Sequence, residues 1–564
     1  MKRRLTSAML IASALAIALG CKRSERESAA SVDRFFAEWN RRDSPGCGVG
    51  VSRNGVVAYE RGFGLANVEL GAPITTDSVF HVASISKQFT AMSILLLAQQ
   101  GKLSLDDPVS TFVPDWADRD DHVTVRNLLT HTAGVRDGFA LLAMAPARED
   151  GLDVNDSIVG MLARQRSTNF KPGSEFQYSN AGYTLLANIV KRVSGQSLRS
   201  FADENIFKPL GMTHTHVHDD PTMIVPNRAW GYHRDGDIIQ AAVHGDLGRL
   251  VGTTGLFTTA RDLLLWEQNF VTARVGGRAL VESMQAPAIP TGWADGSSYG
   301  FGLEIGRYRG ARTIGHGGGD PGYGAFAVRY PDYGLAIAVL CNLDNVGIIV
   351  SRLAERVADV YLADVLAPSA TTTAAPPPVV SLKPEQLSGK AGLYRNAATD
   401  SVGRVFVRNG RLMASASAGE ENSVELTPVA EDRFVVAGTP LAVEFVPADG
   451  DRPQEIRVTG EGPTPVISQL VPPFALSDRE IREIEGEYVS PELPATYTIV
   501  RRDSGLMIQI PGRADIRLQP VFKDGFAGPI GVVKLSRDAH GVVKGFTVKS
   551  ADVRGLSFDR VNHR

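Results

Sequence analysis

Residues 82–101 read VASISKQFTAMSILLLAQQG and predict a single helix whose first turn carries a reactive pair. Apolar residues recur at the three- and four-residue spacing of a helix packed on a core, and Gly101 is its predicted end. Ser84 and Lys87 form the only Ser-x-x-Lys sequence in the chain, and this spacing puts both side chains on one face of the first turn. The positive end of the helix dipole favours an alkoxide on Ser84, and a serine that attacks a carbonyl group needs a base such as Lys87. Taken alone, these residues also fit a helix-capping serine and a solvated lysine.

A second reactive sequence, Tyr178-Ser179-Asn180, lies in a predicted loop directly before a helix predicted over residues 181–193. Side chains can converge at such a helix entry. A phenol there can carry a proton between Ser84 and a leaving group. The same Tyr-x-Asn pattern occurs at Tyr394, inside the β-rich tail, where the tyrosine looks like a core residue.

The third reactive sequence is His316-Gly317-Gly318-Gly319, the only His-x-Gly in the chain, which precedes a strand predicted over residues 325–330. Glycines let the backbone of a substrate approach closely. A glycine N–H can complete an oxyanion hole together with the N–H of Ser84.

Two predicted hairpins frame these sequences. Strands at 47–52 and 56–63 flank Asn54-Gly55, and strands at 325–330 and 335–342 flank residues 331–334. A helix is predicted over residues 348–366, and the middle of the region is mostly helical. The sequence therefore predicts that both ends share one sheet, with a helical part between them, in a catalytic domain over residues 31–366.

Cys47 opens one predicted strand and Cys341 ends another. Antiparallel neighbours would bring these ends together, so a disulfide is one prediction. Two small buried apolar residues are the alternative, because direct cross-strand geometry is awkward for a disulfide.

The tail beyond residue 366 begins with a linker and continues as an internal repeat. Pro, Ala and Thr dominate residues 367–382, which cannot build a core. Short β-branched runs follow, and residues recur at spacings of 94, then 92, then 90. The recurring sets are Gly392, Tyr394, Leu412, Leu426, Pro428, Phe434, Val443 and Val458, and Gly486, Tyr488, Leu506, Leu518, Pro520, Phe526, Val533 and Val548. These repeats predict two small antiparallel β-barrels, residues 383–475 and 476–564.

The first 21 residues read as an export signal with a basic start and an apolar run of 15 residues, too short to span a bilayer. Gly20-Cys21 resembles a bacterial lipobox, which predicts a lipid anchor on Cys21; plain secretory cleavage is the alternative. Residues 22–30 are charged and small, and are predicted to form a tether. A helix is predicted to follow over residues 32–42. The chain is thus expected to be exported, either periplasmic or anchored to the outer membrane of a bacterium.

Composition narrows the class of partner. The 564 residues contain 59 Lys plus Arg against 62 Asp plus Glu, a net charge of −3, with no long basic block. Nucleic acid is therefore not expected as a partner, since phosphate binding needs clustered Lys and Arg. A small or weakly charged substrate fits better, and the sequence leaves open whether the chain forms a homo-oligomer.

The three reactive sequences, in this order, resemble the penicillin-recognising serine hydrolases: class C β-lactamases, DD-peptidases, D-aminopeptidases and related esterases. Flanking phrases support the resemblance, namely LLTHTAG at 128–134, PLGM at 209–212 and GTTGLFTTARD at 252–262. The resemblance implies an α+β fold of the β-lactamase/transpeptidase type with flanking helices and a helical subdomain, followed here by two lipocalin-like β-barrels.

The resemblance also implies roles for individual residues. Ser84 would be the nucleophile, Lys87 and Tyr178 the acid/base pair, and the N–H groups of Ser84 and Gly319 the oxyanion donors. Asn180, His316 and Gly318 would contact the substrate. Class C β-lactamases carry Lys-Thr-Gly where this chain has His316, and a mostly neutral imidazole is a poorer anchor for a carboxylate.

One hydrolase domain followed by two barrels looks like the bacterial D-aminopeptidases, which bring a loop of the last barrel to the active site. An aminopeptidase must bind a free α-ammonium, which requires a carboxylate. Asp515 in the second repeat is the candidate, and a solvated turn is its alternative.

The sequence thus predicts a serine hydrolase acting on peptide or amide bonds, most simply a D-aminopeptidase. A carboxylesterase, a β-lactamase or a DD-carboxypeptidase is the enzyme alternative. A surface-tethered penicillin-binding sensor without turnover is the alternative of another class. No cofactor is expected. His214, His216 and His218 alternate like metal ligands on a strand, but a polar strand edge is favoured and no metal is expected.

Overall fold

The structure, a computed structural model, describes residues 26–561 with short gaps. The predicted export signal with Cys21, the start of the predicted tether and most of the predicted linker lie outside the described residues. The gaps within the range are 115, 117–121, 148–153, 236–237, 243–249, 287–288, 294, 344–346, 369–378, 398, 421–422, 437–438, 440, 451, 461–464, 473, 475, 503–504 and 551.

The described chain contains 13 helices that we label in order. They are α1 (26–35), α2 (Ser86–Gln99), α3 (Val125–Leu129), α4 (Gly138–Met144), α5 (Val154–Ala163), α6 (Asn180–Ser194), α7 (Leu198–Ala202), α8 (Lys208–Leu210), α9 (Ala260–Thr272), α10 (Gly277–Ser283), α11 (Gly347–Tyr361), α12 (Pro384–Ser388) and α13 (Asp478–Ile484). Short 3₁₀ turns lie at Ala83–Ile85, Val109–Thr111 and Pro331–Tyr333, and a π-helical turn lies at Asp203–Phe207.

Among the described residues, fifteen strands precede the tail. They are β1 (Cys47–Arg53), β2 (Val56–Phe63), β3 (Leu65–Asn67), β4 (Ala72–Pro73), β5 (Phe80–His81), β6 (His216–Val217), β7 (Tyr232–Asp235), β8 (Ile238–Ala241), β9 (Leu256–Thr258), β10 (Ile289–Pro290), β11 (Ser298–Tyr299), β12 (Glu304–Tyr308), β13 (Ala311–Asp320), β14 (Tyr323–Tyr330) and β15 (Leu335–Cys341).

The described part of the tail contains sixteen strands. They are β16 (Gly392–Arg395), β17 (Val402–Arg408), β18 (Arg411–Ser415), β19 (Val424–Pro428), β20 (Arg433–Val435), β21 (Ala442–Val446), β22 (Glu455–Thr459), β23 (Val466–Leu470), β24 (Gly486–Val489), β25 (Thr496–Arg502), β26 (Gly505–Gln509), β27 (Ile516–Phe522), β28 (Gly525–Gly528), β29 (Gly531–Arg537), β30 (Val543–Lys549) and β31 (Arg554–Arg560).

These elements form two compact units, each described by itself. The first is built from the described residues of 1–104, 186–289 and 298–370. The second is built from those of 105–185, 290–297 and 371–564, so the helical stretch 105–185 belongs to the same unit as the barrels.

The main sheet has eight strands in the order β10-β11-β12-β13-β14-β15-β1-β2, so the two predicted hairpins meet in one sheet. Strand β15 is buried along its whole length, as a strand covered on both faces must be. Helix α11 packs on β14 and β15, while a Cβ on Gly50 would lie 3.1 Å from the side chain of Leu264 in α9. The predicted α+β architecture is therefore confirmed, with helices on both faces of the sheet.

Strands β1 and β15 pair antiparallel and set Cys47 directly opposite Cys341. The two side chains form a disulfide that closes a sequence separation of 294 residues. Both cysteines are buried within the cluster beneath α11.

The tail forms two closed eight-stranded antiparallel barrels, β16–β23 and β24–β31, as the repeat predicts. The recurring residues are cross-strand partners: Leu412 faces Leu426 and Val443 faces Val458 in the first barrel. Leu506 faces Leu518 and Val533 faces Val548 in the second. The residues that recur between the two copies therefore include cross-strand partners that stabilise each barrel.

In each barrel, a tyrosine on the first strand binds the backbone carbonyl four residues earlier, where the chain enters the barrel. Tyr394 donates its hydroxyl hydrogen to the carbonyl of Lys390 (2.8 Å), and Tyr488 donates to the carbonyl of Ile484 (2.6 Å). Both tyrosines are almost fully buried. Tyr394 is thus a core residue, as the sequence predicts.

The second barrel packs against the helical stretch of its own unit. Tyr497 donates to the carbonyl of Met144 (2.6 Å) at the end of α4, and the N–H of Ala147 donates to the carbonyl of Pro511 (3.1 Å). The N–H of Asp137 bonds the carbonyl of Asp552 (3.1 Å). These bonds join residues more than 350 positions apart, which no local pattern predicts.

The beginning of the described chain differs from the prediction. Helix α1 covers residues 26–35, so it includes part of the predicted tether and ends before the predicted limit at residue 42. Alanine, glutamate and arginine favour helix, and the stretch has few of the turn residues that end one. Within the part of the chain that the structure describes, no helix is long and apolar enough to cross a membrane.

Candidate active site

Ser84 lies in the middle of the 3₁₀ turn that leads directly into helix α2, with Lys87 one turn further on. Lys87 Nζ donates a hydrogen bond to Ser84 Oγ (2.9 Å) and another to the carbonyl oxygen of Thr253 (2.9 Å). Lys87 is fully buried, whereas Ser84 is partly exposed. An accessible hydroxyl thus lies within proton-transfer distance of a buried amine, the arrangement of an activated nucleophile.

The segment 252–256 fixes the first turns of α2. Thr90 Oγ1 donates to the carbonyl of Gly252 (2.8 Å), and the N–H of Leu256 donates to Ser86 Oγ (3.0 Å). With the bond from Lys87 to Thr253, three positions of α2 bind one backbone segment. This explains why GTTGLF accompanies the Ser-x-x-Lys sequence.

Ala83 adopts a left-handed backbone conformation, with φ of +46°. A non-glycine residue in this region costs about 1 kcal/mol or more, so its surroundings must hold it there. Ser86 Oγ bonds the carbonyl of Ala83 (2.6 Å) and provides part of that hold. The strained residue directly precedes the nucleophile and sets the direction of its side chain.

Strand β13 lies against the nucleophile segment through its glycines. A Cβ on Gly318 would lie 2.3 Å from the carbonyl oxygen of Val82 and 3.2 Å from the backbone nitrogen of Ser84, so only glycine fits. Gly319 is exposed and has open space around its Cα. Gly319 therefore lies one residue beyond the point where the strand comes closest to the backbone of Ser84.

His316 is buried in this strand, with a 2% exposed side chain. Its Nδ1 lies 2.5 Å from the carbonyl of Gly317, and its Nε2 lies 3.0 Å from the hydroxyl of Tyr299. A carbonyl only accepts, so the proton lies on Nδ1 and Nε2 accepts from Tyr299. A role of this ring in substrate binding stays a prediction.

Burial, and secondarily the charge of Lys87, lower the pKa of His316 to about 3. The ring is therefore neutral in the folded protein across the physiological range, and the Glu304 carboxylate lies 3.6 Å from its Nδ1. A neutral imidazole gives a carboxylate-bearing substrate little to bind.

The low pKa of His316 predicts a pH-dependent penalty on stability. Between the unfolded value near 6.5 and the folded value near 3, the unfolded chain binds a proton that the folded chain does not, so the free energy of unfolding falls as pH falls. The contribution is at most about 1.4 kcal/mol per pH unit. Urea unfolding of wild type and His316→Gln at pH 6.5 and pH 4.5 should therefore show a smaller loss of stability in the variant. Equal losses would contradict the assignment.

Tyr178 and Asn180 lie in the second unit, which is described by itself. Helix α6 begins at Asn180, one residue before the predicted start, and Tyr178 lies in the preceding loop, as predicted. The ring of His131 packs on Tyr178 with centroids 4.3 Å apart, and His131 Nδ1 accepts from the N–H of Ser179 (3.1 Å). The carbonyl of His131 accepts from the N–H of Gln177 (2.9 Å). His131 thus supports the whole Tyr178 loop.

Asp515, the predicted ammonium ligand, lies on an exposed turn of the second barrel. Both carboxylate oxygens accept from Gln509 Nε2 of the same barrel, at 3.2 and 3.0 Å. This is the position of a solvated turn aspartate. Its role in substrate binding stays a prediction.

Of the three alternating histidines, His216 and His218 are packing groups, whereas His214 is exposed. The rings of His216 and His218 lie 5.7 and 4.9 Å from that of Phe257. Burial lowers the pKa of His216 to about 4 and also lowers that of His218. No cluster of three metal-ligating side chains occurs among the described residues.

Several residues of the site escape sequence reasoning. Thr253 holds Lys87 through a backbone carbonyl, which carries no side-chain signal. His131 lies in the LLTHTAG phrase, but the phrase alone does not say that its ring supports Tyr178. Asp320 directly follows the glycine run and has no motif of its own.

The family model described as beta-lactamase matches residues 32–361. Penicillin-binding protein 4* of Bacillus subtilis is 31% identical over 311 residues, which cover 52% of this chain and 67% of that protein. D-aminopeptidase of Brucella ovis is 28% identical over 308 residues, 53% of this chain and 57% of that protein. The chain thus spans little more than half the length of that D-aminopeptidase.

A solved structure extends the likeness beyond the matched region. The octameric penicillin-binding protein homologue from Pyrococcus abyssi superposes with a TM-score of 0.52 at 25% identity. The alignment covers 78% of this chain and 99% of that one.

Proposed function

Because the chain belongs to the beta-lactamase family, we propose that it is a D-aminopeptidase-like serine hydrolase that releases N-terminal D-residues from short peptides or amides. Membership confirms the resemblance to the penicillin-recognising serine hydrolases and the β-lactamase/transpeptidase type of the fold. The observation that carries the reaction type is the 2.9 Å hydrogen bond between Lys87 Nζ and Ser84 Oγ.

The proposed reaction proceeds through an acyl-enzyme. Ser84 Oγ attacks the carbonyl carbon while its proton passes to Lys87, and the N–H groups of Ser84 and Gly319 stabilise the oxyanion. Tyr178 hands a proton to the departing amine, and Asn180 contacts the substrate amide. Water then attacks the ester on Ser84 and releases the acid. No step requires a metal or a cofactor.

Two observations support an aminopeptidase over a β-lactamase. The D-aminopeptidase of Brucella ovis is 28% identical over the matched region. His316 is neutral where class C β-lactamases carry a lysine, so a carboxylate on the far side of the substrate finds no cation there.

The test is a panel of substrates at matched concentrations: D-alanyl and L-alanyl p-nitroanilide, a p-nitrophenyl ester and nitrocefin. The proposed function predicts the highest kcat/KM on the D-alanyl anilide. Faster turnover of the ester would assign a carboxylesterase, and faster turnover of nitrocefin would assign a β-lactamase. Stable labelling by a fluorophosphonate or a penicillin, with no turnover of any substrate, would assign a non-catalytic sensor.

We also propose that the protein is exported, with the segment 1–21 as its signal and Cys21 as the lipid-bearing residue. A D-aminopeptidase outside the cytoplasm would meet cell-wall fragments, which contain D-residues. Metabolic labelling with a palmitate analogue in wild type and Cys21→Ala tests the anchor.

A further inference from the structure

The proposed function leaves one requirement open, namely the group that recognises the substrate's free amine. In an N-terminal residue the ammonium nitrogen lies about 2.5 Å from the carbonyl carbon, one Cα away. A carboxylate that binds it must therefore lie close to the oxyanion hole. Such a pairing becomes strong where water is largely excluded.

Asp320 meets the requirement of position. It is the last residue of β13, directly after Gly319, so the two Cα atoms are about 3.8 Å apart. Side chains alternate along a strand, so Asp320 points to the same face as Gly318. That face is turned toward Ser84, because a Cβ on Gly318 would lie 3.2 Å from the Ser84 nitrogen.

Asp320 also meets the requirement of charge. Its Oδ2 accepts from Thr254 Oγ1 (3.3 Å) and lies 3.5 Å from His81 Nδ1. His81 Nε2 accepts from the N–H of Gly255 (3.2 Å), which fits a neutral ring with its proton on Nδ1. Among the described residues, no Lys or Arg side chain forms a salt bridge with Asp320 and no donor reaches its Oδ1.

The carboxyl group is therefore short of a cation. Its side chain is only 16% exposed, and burial raises the pKa of Asp320 to about 6. Thr254 and the more distant Lys87 act in the opposite direction, toward the ionised form. An ammonium ion beside Oδ1 would supply the charge that this buried group lacks.

We propose that Asp320 binds the α-ammonium of the substrate and thereby selects substrates with a free N-terminus. This assignment rests on the proposed function and replaces Asp515 in that role. His81 and Thr254 are positioning residues, since both contact Oδ2 of Asp320.

The test compares a matched pair of substrates, D-alanyl p-nitroanilide and its N-acetyl derivative, in which the ammonium is absent. Wild type should favour the free amine, and Asp320→Asn should reduce the ratio of the two kcat/KM values at least about tenfold, since a lost ionic contact is worth 1.4 kcal/mol or more. Asp320→Glu keeps the charge and should recover part of the ratio. Asp332→Asn, an exposed aspartate in the turn after β14, is the matched control.

The outcomes separate this inference from the proposed function. If wild type hydrolyses no D-alanyl anilide, the proposed function fails. If it does and the ratio survives in Asp320→Asn, only the assignment of Asp320 is overturned. If the ratio is lost in Asp515→Asn instead, Asp515 of the second barrel binds the α-ammonium. If Asp320→Asn does not fold, the ratio in Asp320→Glu decides, because a displaced carboxylate must change it.

Discussion

Replacing Ser84 with alanine is expected to reduce kcat on every substrate at least about 10³-fold, with little change in the free energy of unfolding. The variant removes the only atom that can form the acyl-enzyme, while Lys87 keeps its bond to the carbonyl of Thr253. The hydroxyl is partly exposed and is no packing group, so its loss leaves no large cavity. Steady-state rates and labelling by a fluorophosphonate measure the effect.

Ser93→Ala is the matched control for Ser84→Ala. Ser93 lies on the same helix and is fully buried. Its hydroxyl donates to the carbonyl of Phe89 (2.8 Å), a local bond whose loss in the alanine variant should cost little stability. The control should retain activity and labelling. If Ser84→Ala keeps more than a tenth of wild-type kcat on any substrate, the acyl-enzyme mechanism is wrong for that substrate.

The sequence predicts what short-range spacing encodes. The three-residue spacing of Ser84 and Lys87 places both side chains on one face of a helical turn, and the structure shows their hydrogen bond at 2.9 Å. The internal repeat of the tail predicts two barrels. Within one copy, recurring residues such as Val443 and Val458 face each other across neighbouring strands. Alternation and spacing are local properties, so they can be read without tertiary structure.

Sequence spacing does not encode pairings between distant segments. The bond between Lys87 and the carbonyl of Thr253 spans 166 residues and uses a backbone atom that every residue has. The role proposed for Asp320 depends on its contacts with His81 and Thr254, which lie far away in the sequence. Helix α1 begins at residue 26 and not at the predicted residue 32 for another reason: its charged, small residues fit a tether as well as a helix until packing decides.

The second barrel is joined to the helical stretch by an ion pair that is inaccessible to water. The side chains of Arg136 and Glu492 are 0% and 3% exposed, and Arg136 Nη1 donates to Glu492 Oε1 (2.8 Å). Arg136 also donates to Gln165 Oε1 (2.5 Å) and Ser167 Oγ (3.0 Å), while Glu492 accepts from the N–H of Arg166 (2.8 Å). Burial raises the pKa of Glu492, but the Arg136 charge and these bonds outweigh it and hold the pKa below its usual value.

This pair makes the barrel an integral part of the unit that carries Tyr178. Arg136 lies five residues after His131, whose ring packs on Tyr178. A barrel that acted only as a movable lid would have to expose both charges each time it opened, which costs several kcal/mol per ion.

Arg136→Met is therefore expected to destabilise the second unit by about 3–5 kcal/mol, because it leaves the Glu492 carboxylate buried without a cation. Without Arg136 the pKa of Glu492 should rise above its unfolded value. The destabilisation should then grow from pH 5 to pH 8, where the group must be buried as an anion. Urea unfolding at both pH values measures it. The double variant Arg136→Met/Glu492→Gln should recover part of the loss, since it buries no unpaired charge.

The matched control for Arg136→Met is Arg411→Met, which breaks the solvent-exposed pair of Arg411 with Glu425 in the first barrel (2.7 Å; 67% and 41% exposed). An exposed pair contributes about 1 kcal/mol or less, so this variant should unfold nearly as wild type. If Arg136→Met costs no more than Arg411→Met, water or movement must solvate Glu492 in solution, and the barrel would then be free to leave the helical stretch. A large and pH-dependent difference between the two variants would instead show that the Tyr178 loop and the second barrel fold as one body.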